Sequence, residues 1–85
     1  MLILYTKTNC PFCEKVLRRA HELGITLETR NIAEPKNLDE LMKLGGKRQV
    51  PFLVDEERAV SMYESDDIVR YLENYADEKA KPHNI

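Results

Sequence analysis

Leu2-Ile3-Leu4-Tyr5-Thr6-Lys7-Thr8-Asn9-Cys10-Pro11-Phe12-Cys13 reads as a strand, a polar loop and the start of a helix. Residues 2–5 form a short apolar run of the kind buried on both faces of a sheet. Residues 6–9 are polar. Pro11 falls where a helix begins, the position proline favours. Cys13, Val16, Leu17, Ala20 and Leu23 recur at helical spacing and make one apolar stripe. Gly24 is the expected helix stop. Both cysteines therefore lie at a strand–loop–helix junction.

Working outward, residues 25–32 carry Ile25, Leu27, Thr29 and Ile32 among polar neighbours and predict a second strand. After the loop at residues 33–36, Asn37 can cap a short helix, with Glu40 in the capping-box position. Leu38, Leu41 and Met42 give that helix an apolar side, and Gly45-Gly46 end it. Residues 50–54 predict a third strand, 55–58 a turn and 59–62 a fourth strand. So short a connection makes these last two strands antiparallel. Ser65 can cap a final helix, with Asp66 and Asp67 in its first turn, where acids suit the dipole. Ile68, Val69, Leu72 and Tyr75 are its buried stripe. Residues 77–85 read as a charged, solvated tail. The result is an α/β fold of order βαβ-α-ββα: one domain over residues 1–76, with helices on both faces of a four-stranded mixed sheet.

The chain has 85 residues, 42% hydrophobic and 33% charged, enough for one domain. Lys and Arg total 13 against 15 Asp and Glu, a net charge of -2. A dedicated nucleic-acid binder carries a basic excess, so that class is set aside. No apolar run approaches the ~20 residues of a membrane span. The apolar N-terminus is too short for a signal peptide and lacks its basic start. A cytoplasmic chain is the expectation.

Cys10 and Cys13 enclose too short a loop to work as a structural staple. Their spacing has a chemical use instead. The thiolate attacks disulfides, and a helix N-terminus can bring a thiol's pKa down to roughly 3.5–7.5. Cys10, at that end and expected to be exposed, is the candidate nucleophile. Cys13, one turn inside and on the apolar stripe, is the candidate resolving thiol. Lys7 offers a positive charge across the loop. The other uses of such a pair are two core cysteines or half a zinc site, for which only His21 and His83 remain as soft donors. A Cys-x-x-Cys beside a βαβ pattern points to thioredoxin-like redox chemistry.

Two further stretches fit that chemistry. Gln49-Val50-Pro51 opens a strand, and a cis bond before Pro51 would turn the Val50 backbone outward to pair with an extended peptide. Tyr63-Glu64-Ser65-Asp66-Asp67 opens the last helix, where free N–H groups can hold a carboxylate. Asp66 could accept from an ammonium group beside it, so the end of a zwitterionic amino acid fits both.

Together these residues resemble a glutaredoxin. The resemblance runs from Leu4-Tyr5-Thr6-Lys7 through Cys10-Pro11-Phe12-Cys13, where Phe12 replaces the usual Tyr, to Gln49-Val50-Pro51, where Gln49 replaces Thr. It implies a thioredoxin fold, a cis Pro51 and glutathione as co-substrate, with no tightly bound cofactor. Lys7 and Gln49 would lie near the glutathione glycyl end, Val50 beside its cysteinyl backbone, and Phe12 along the site. Ser65 and Asp66 would hold the γ-glutamyl end. Tyr63-Glu64 stands where glutaredoxins have Gly-Gly, and Glu64-Ser65 is similar to the Glu-Ser of glutathione transferase N-terminal domains. Because those continue into a helical domain and this sequence ends at Ile85, the expectation is a free-standing, monomeric glutaredoxin with a transferase-like γ-glutamyl site. Its partners would be glutathione and glutathionylated or disulfide-containing proteins. The alternatives are a thioredoxin-like carrier reduced by a flavin enzyme, or a glutathione or iron–sulfur binding module without turnover.

Overall fold

Alternation along the first strand decides which layer each helix joins. A computed structural model describes residues 1–80. Its elements are β1 (Leu2–Thr6), α1 (Pro11–Glu22), β2 (Glu28–Asn31), α2 (Pro35–Gly45), β3 (Phe52–Asp55), β4 (Val60–Met62) and α3 (Ser65–Ala80). The sheet order is β2-β1-β3-β4, with β1 parallel to β2 and antiparallel to β3, and β3 antiparallel to β4. Leu2 and Leu4 point to one face with Leu53 and meet Val16 and Ala20 of α1 and Ile68 and Leu72 of α3. Ile3 and Tyr5 point to the other face with Phe52 and meet Leu41 of α2. All five β1 residues are buried, as a two-sided central strand requires. This is the expected thioredoxin-like layering.

Element ends differ from the sequence expectation where a side chain or amide finds another partner. The second strand starts at Glu28 rather than Ile25, because the Ile25 N–H donates to Ala20 O at 2.9 Å and closes the end of α1. Ile25 and Leu27 still pack against the core. Asn37 does not cap α2. Pro35 opens that helix, and Glu34 O accepts from the N–H groups of Asn37 and Leu38 at 3.0 and 3.2 Å. The Asn37 amide is buried and donates to Asn31 O at 2.9 Å, tying α2 to the end of β2. Glu40 forms no capping box either; it accepts from Tyr5 and Arg30. Ser65 is the first residue of α3 rather than its cap, since the Ile68 N–H already donates to Glu64 O at 3.0 Å. The same helix runs through Ala80, into the stretch read as a tail; residues 81–85 and His83 lie outside the described residues.

One buried acid locks β3 to α3. Asp55, 1% exposed, ends β3 instead of starting the turn. It accepts from the Tyr71 hydroxyl at 2.5 Å and from the Arg58 N–H at 3.4 Å. Burial, then the adjacent Asp55 carboxylate, push the Tyr71 phenol up to about 12.

Candidate active site

The loop after β1 turns into α1 through Asn9, whose φ of 58° is one that asparagine tolerates better than most residues. Cys10 follows as the N-cap of α1, with Pro11 in the first turn. The Cys10 Sγ accepts a hydrogen bond from the Cys13 N–H at 3.2 Å. Sulfur thus occupies the place where a capping oxygen usually sits, against the unpaired amides of a helix start.

Cys10 is less open than the sequence suggests. It is 8% exposed, and the segments at residues 31–33 and 48–50 border the cleft it lines. Access is through this cleft of about 610 Å³, lined by those segments and by residues 7–12. Cys13 lies behind it at 2% exposed, packed on the inner face of α1. Burial pushes the Cys13 thiol up to about 12, its hydrogen bond with Cys10 adds to that, and the Lys7 amide and charge oppose it. Cys13 is therefore a neutral thiol at pH 8. Brief treatment with iodoacetamide at pH 8 should add a single adduct, at Cys10, with Cys13 labelled only after unfolding; peptide mass spectrometry reads this directly. An adduct at Cys13 in the folded protein would contradict the assignment.

The other residues singled out from the sequence converge on the same surface. Lys7, Phe12, Gln49 and Val50 line the thiol cleft. Phe12, Gln49 and Val50 also line an adjoining cleft of about 330 Å³, together with Pro51, Glu64, Ser65 and Asp66. The Val50–Pro51 peptide is cis. Among the described residues no backbone hydrogen bond engages Val50. Phe12 is 61% exposed at the rim shared by the two clefts. The charged residues of the larger cleft are Lys7 and Arg48, both cations. Those of the smaller cleft are Glu64 and Asp66, both acids, beside the start of α3.

Asp66 is already partnered. It pairs with Lys15 of α1, whose hydrogen bond and charge hold the Asp66 carboxyl below the usual carboxylate range. Glu64 has a φ of 60°, and its carboxylate accepts from Gln49 Nε2 at 3.2 Å. Arg48, Asn31, Ile32 and Ala33 are walls of the thiol cleft that the sequence reading missed. They come from the end of β2 with the turn after it and from the loop before β3, all remote from the cysteines, and no local pattern marks them. Among the described residues no three His, Cys, Asp or Glu side chains gather as metal ligands.

The family model of the glutathione S-transferase N-terminal domain matches residues 4–80. The chain belongs to this family. As a transferase-type N-terminal domain it superposes on solved structures of much longer proteins. Glutathione S-transferase 1-6 from Anopheles dirus species B is 35% identical with a TM-score of 0.72, over 96% of this chain and 40% of that one. A glutathione S-transferase from the Antarctic clam Laternula elliptica is 26% identical with a TM-score of 0.75, over 91% of this chain and 36% of that one. Ure2p in complex with glutathione shares the fold at 23% identity and a TM-score of 0.77, over 93% of this chain and 34% of that one. The domain thus spans about two-fifths or less of each of these relatives. No curated protein sequence matches it. Among the described residues no helix is long and apolar enough to cross a membrane.

Proposed function

We propose that this transferase-type domain is a glutathione-dependent thiol–disulfide oxidoreductase of the glutaredoxin kind. The observation that carries the proposal is the Cys10 sulfur capping α1, with the Cys13 thiol directly behind it. A glutathione transferase needs to bind and orient one thiol, that of its substrate. A second cysteine packed behind the first gains its use when the first forms a disulfide.

The charges of the two clefts suit glutathione end to end. Lys7 and Arg48 match the glycyl carboxylate, with Gln49 beside them. The Val50 backbone is available to the cysteinyl residue, as in strand addition. The first amides of α3 at Ser65 and Asp66 suit the γ-glutamyl carboxylate, and Glu64 suits its ammonium group. Asp66 contributes there only by exchanging its Lys15 partner for the ligand.

In the proposed cycle the Cys10 thiolate attacks the glutathione sulfur of a protein–glutathione disulfide. That S–S bond breaks, a Cys10–glutathione S–S bond forms, and the protein sulfur leaves as a thiolate. A second glutathione thiolate then attacks the bound glutathione sulfur, releasing Cys10 and oxidised glutathione. With a protein disulfide, Cys10 attacks one sulfur and Cys13, after losing its proton, displaces the protein and closes a Cys10–Cys13 disulfide. Two glutathione molecules restore the dithiol.

The test is NADPH consumption with glutathione, glutathione reductase and the mixed disulfide of 2-mercaptoethanol and glutathione. Turnover that depends on glutathione reductase is the expected result. Turnover only with thioredoxin reductase, or none with either system, sinks the proposal.

A further inference from the structure

Tyr63 touches neither cleft, yet it holds the wall common to both. Its hydroxyl accepts from the Lys47 N–H at 3.0 Å and donates to Lys47 O at 2.8 Å. A phenol has one proton and acceptor lone pairs, so a single group satisfies both backbone atoms of one residue. Lys47 O also accepts from the Gln49 N–H at 2.9 Å, so the clamp extends along the loop. On the far side, Gln49 is held by the Glu64 carboxylate. The loop between α2 and β3 has no regular secondary structure of its own, and these side-chain bonds replace the missing ladder.

The ring is seated for the task. It packs on Phe52 with centroids 4.5 Å apart. It also lies over Gly45, where an added Cβ would come within 2.2 Å of the Tyr63 hydroxyl and 2.7 Å of its Cζ. A side chain there would drive the ring off the loop, so Gly45 provides the space the clamp needs. Arg48, Gln49 and Val50, which follow Lys47, are lining residues of the thiol cleft, and the last two also line its neighbour.

We infer that Tyr63 is a positioning residue for substrate binding: its hydroxyl fixes the 47–50 loop and so presents Gln49 and the Val50 backbone to the glutathione chain. This rests on the proposed reductase reading for its ligand, but not for the clamp itself. Cys10 is held independently by α1, so its reactivity does not pass through Tyr63.

Tyr63→Phe keeps the ring and its packing and removes only the hydroxyl. Three readouts are compared with the unaltered protein: amide hydrogen exchange over residues 46–50, the KM and kcat for the glutathione mixed disulfide, and the rate of Cys10 alkylation. The expected result is faster exchange at Lys47 and Gln49 and a KM raised about five-fold, the effect of one ordinary hydrogen bond. Both kcat and alkylation should be unchanged. An unchanged KM overturns the inference, with or without faster exchange. So does a fall in kcat and alkylation together, which marks general damage. Should the unaltered protein turn over no disulfide, the reductase reading fails, and exchange alone decides the clamp: faster exchange supports it and unchanged exchange overturns it.

Discussion

Replacing Cys10 by serine should abolish turnover, by on the order of 10³-fold or more, as loss of a covalent nucleophile does. A hydroxyl in the same N-cap position still accepts the Cys13 amide, so the fold is kept while the S–S bond can no longer form. Cys13→Ser should separate the two activities. Deglutathionylation needs Cys10 and a second glutathione, and it should continue near the unaltered rate. Reduction of a protein disulfide needs the internal attack, and it should be lost. The measurement is the coupled assay run with a glutathionylated peptide and with a disulfide-containing protein. Equal loss of both activities in Cys13→Ser would remove the division of labour between the two thiols. The raised Cys13 pKa fits that division: the thiol stays neutral and inert until a mixed disulfide forms beside it.

The second large effect concerns stability and lies at the opposite end of β3. Asp55→Ala should destabilise the fold by about 2 kcal/mol, within the range for losing a hydrogen bond to a charged acceptor. The Arg58 partner is 40% exposed and can turn to water, whereas the Tyr71 hydroxyl loses its acceptor in a half-buried place. For a domain of this size that corresponds to a Tm lower by roughly 8–16 °C. Asp55→Asn keeps an acceptor for Tyr71 and should cost less. A Tm drop of only a few degrees for the alanine variant would show that α3 is held without this anchor.

Alkaline pH provides a second check on the same contact. The Tyr71 phenol holds its proton to about 12 in the folded protein against 10.0 without its surroundings. The folded state therefore binds that proton more tightly than the unfolded state. Its contribution is complete below pH 10 and falls away as pH rises towards 12. Asp55→Ala, which removes one cause of the shift, should make the alkaline decline shallower; urea titrations between pH 9 and 11.5 measure it.

The parts legible in the sequence are those that short-range chemistry writes. The continuous apolar run in β1, the proline at the start of α1 and the short β3–β4 connection give the element order and the antiparallel hairpin. The Cys-x-x-Cys at a helix start identifies the thiols, and the Gln49-Val50-Pro51 and Glu64-Ser65-Asp66 stretches mark the rest of the surface. The family likeness was legible only in part: Glu64-Ser65 pointed to the transferase N-terminal domain, while the other motifs pointed to glutaredoxins. Helix starts were misplaced by a few residues, because Pro35 opens α2 ahead of Asn37 and Glu64 O already accepts from the first turn of α3. Asn37 looks like a cap by spacing, but its amide is taken by the end of β2.

What the chain determined by itself is which face each residue presents and where a thiol meets a helix dipole. Those follow from backbone geometry within a few residues. Folding decided how far Cys10 is covered, that Lys15 occupies Asp66, and that Tyr63 grips Lys47. Each of these joins segments far apart along the chain, and such neighbours are chosen by how the layers pack rather than by any local spacing.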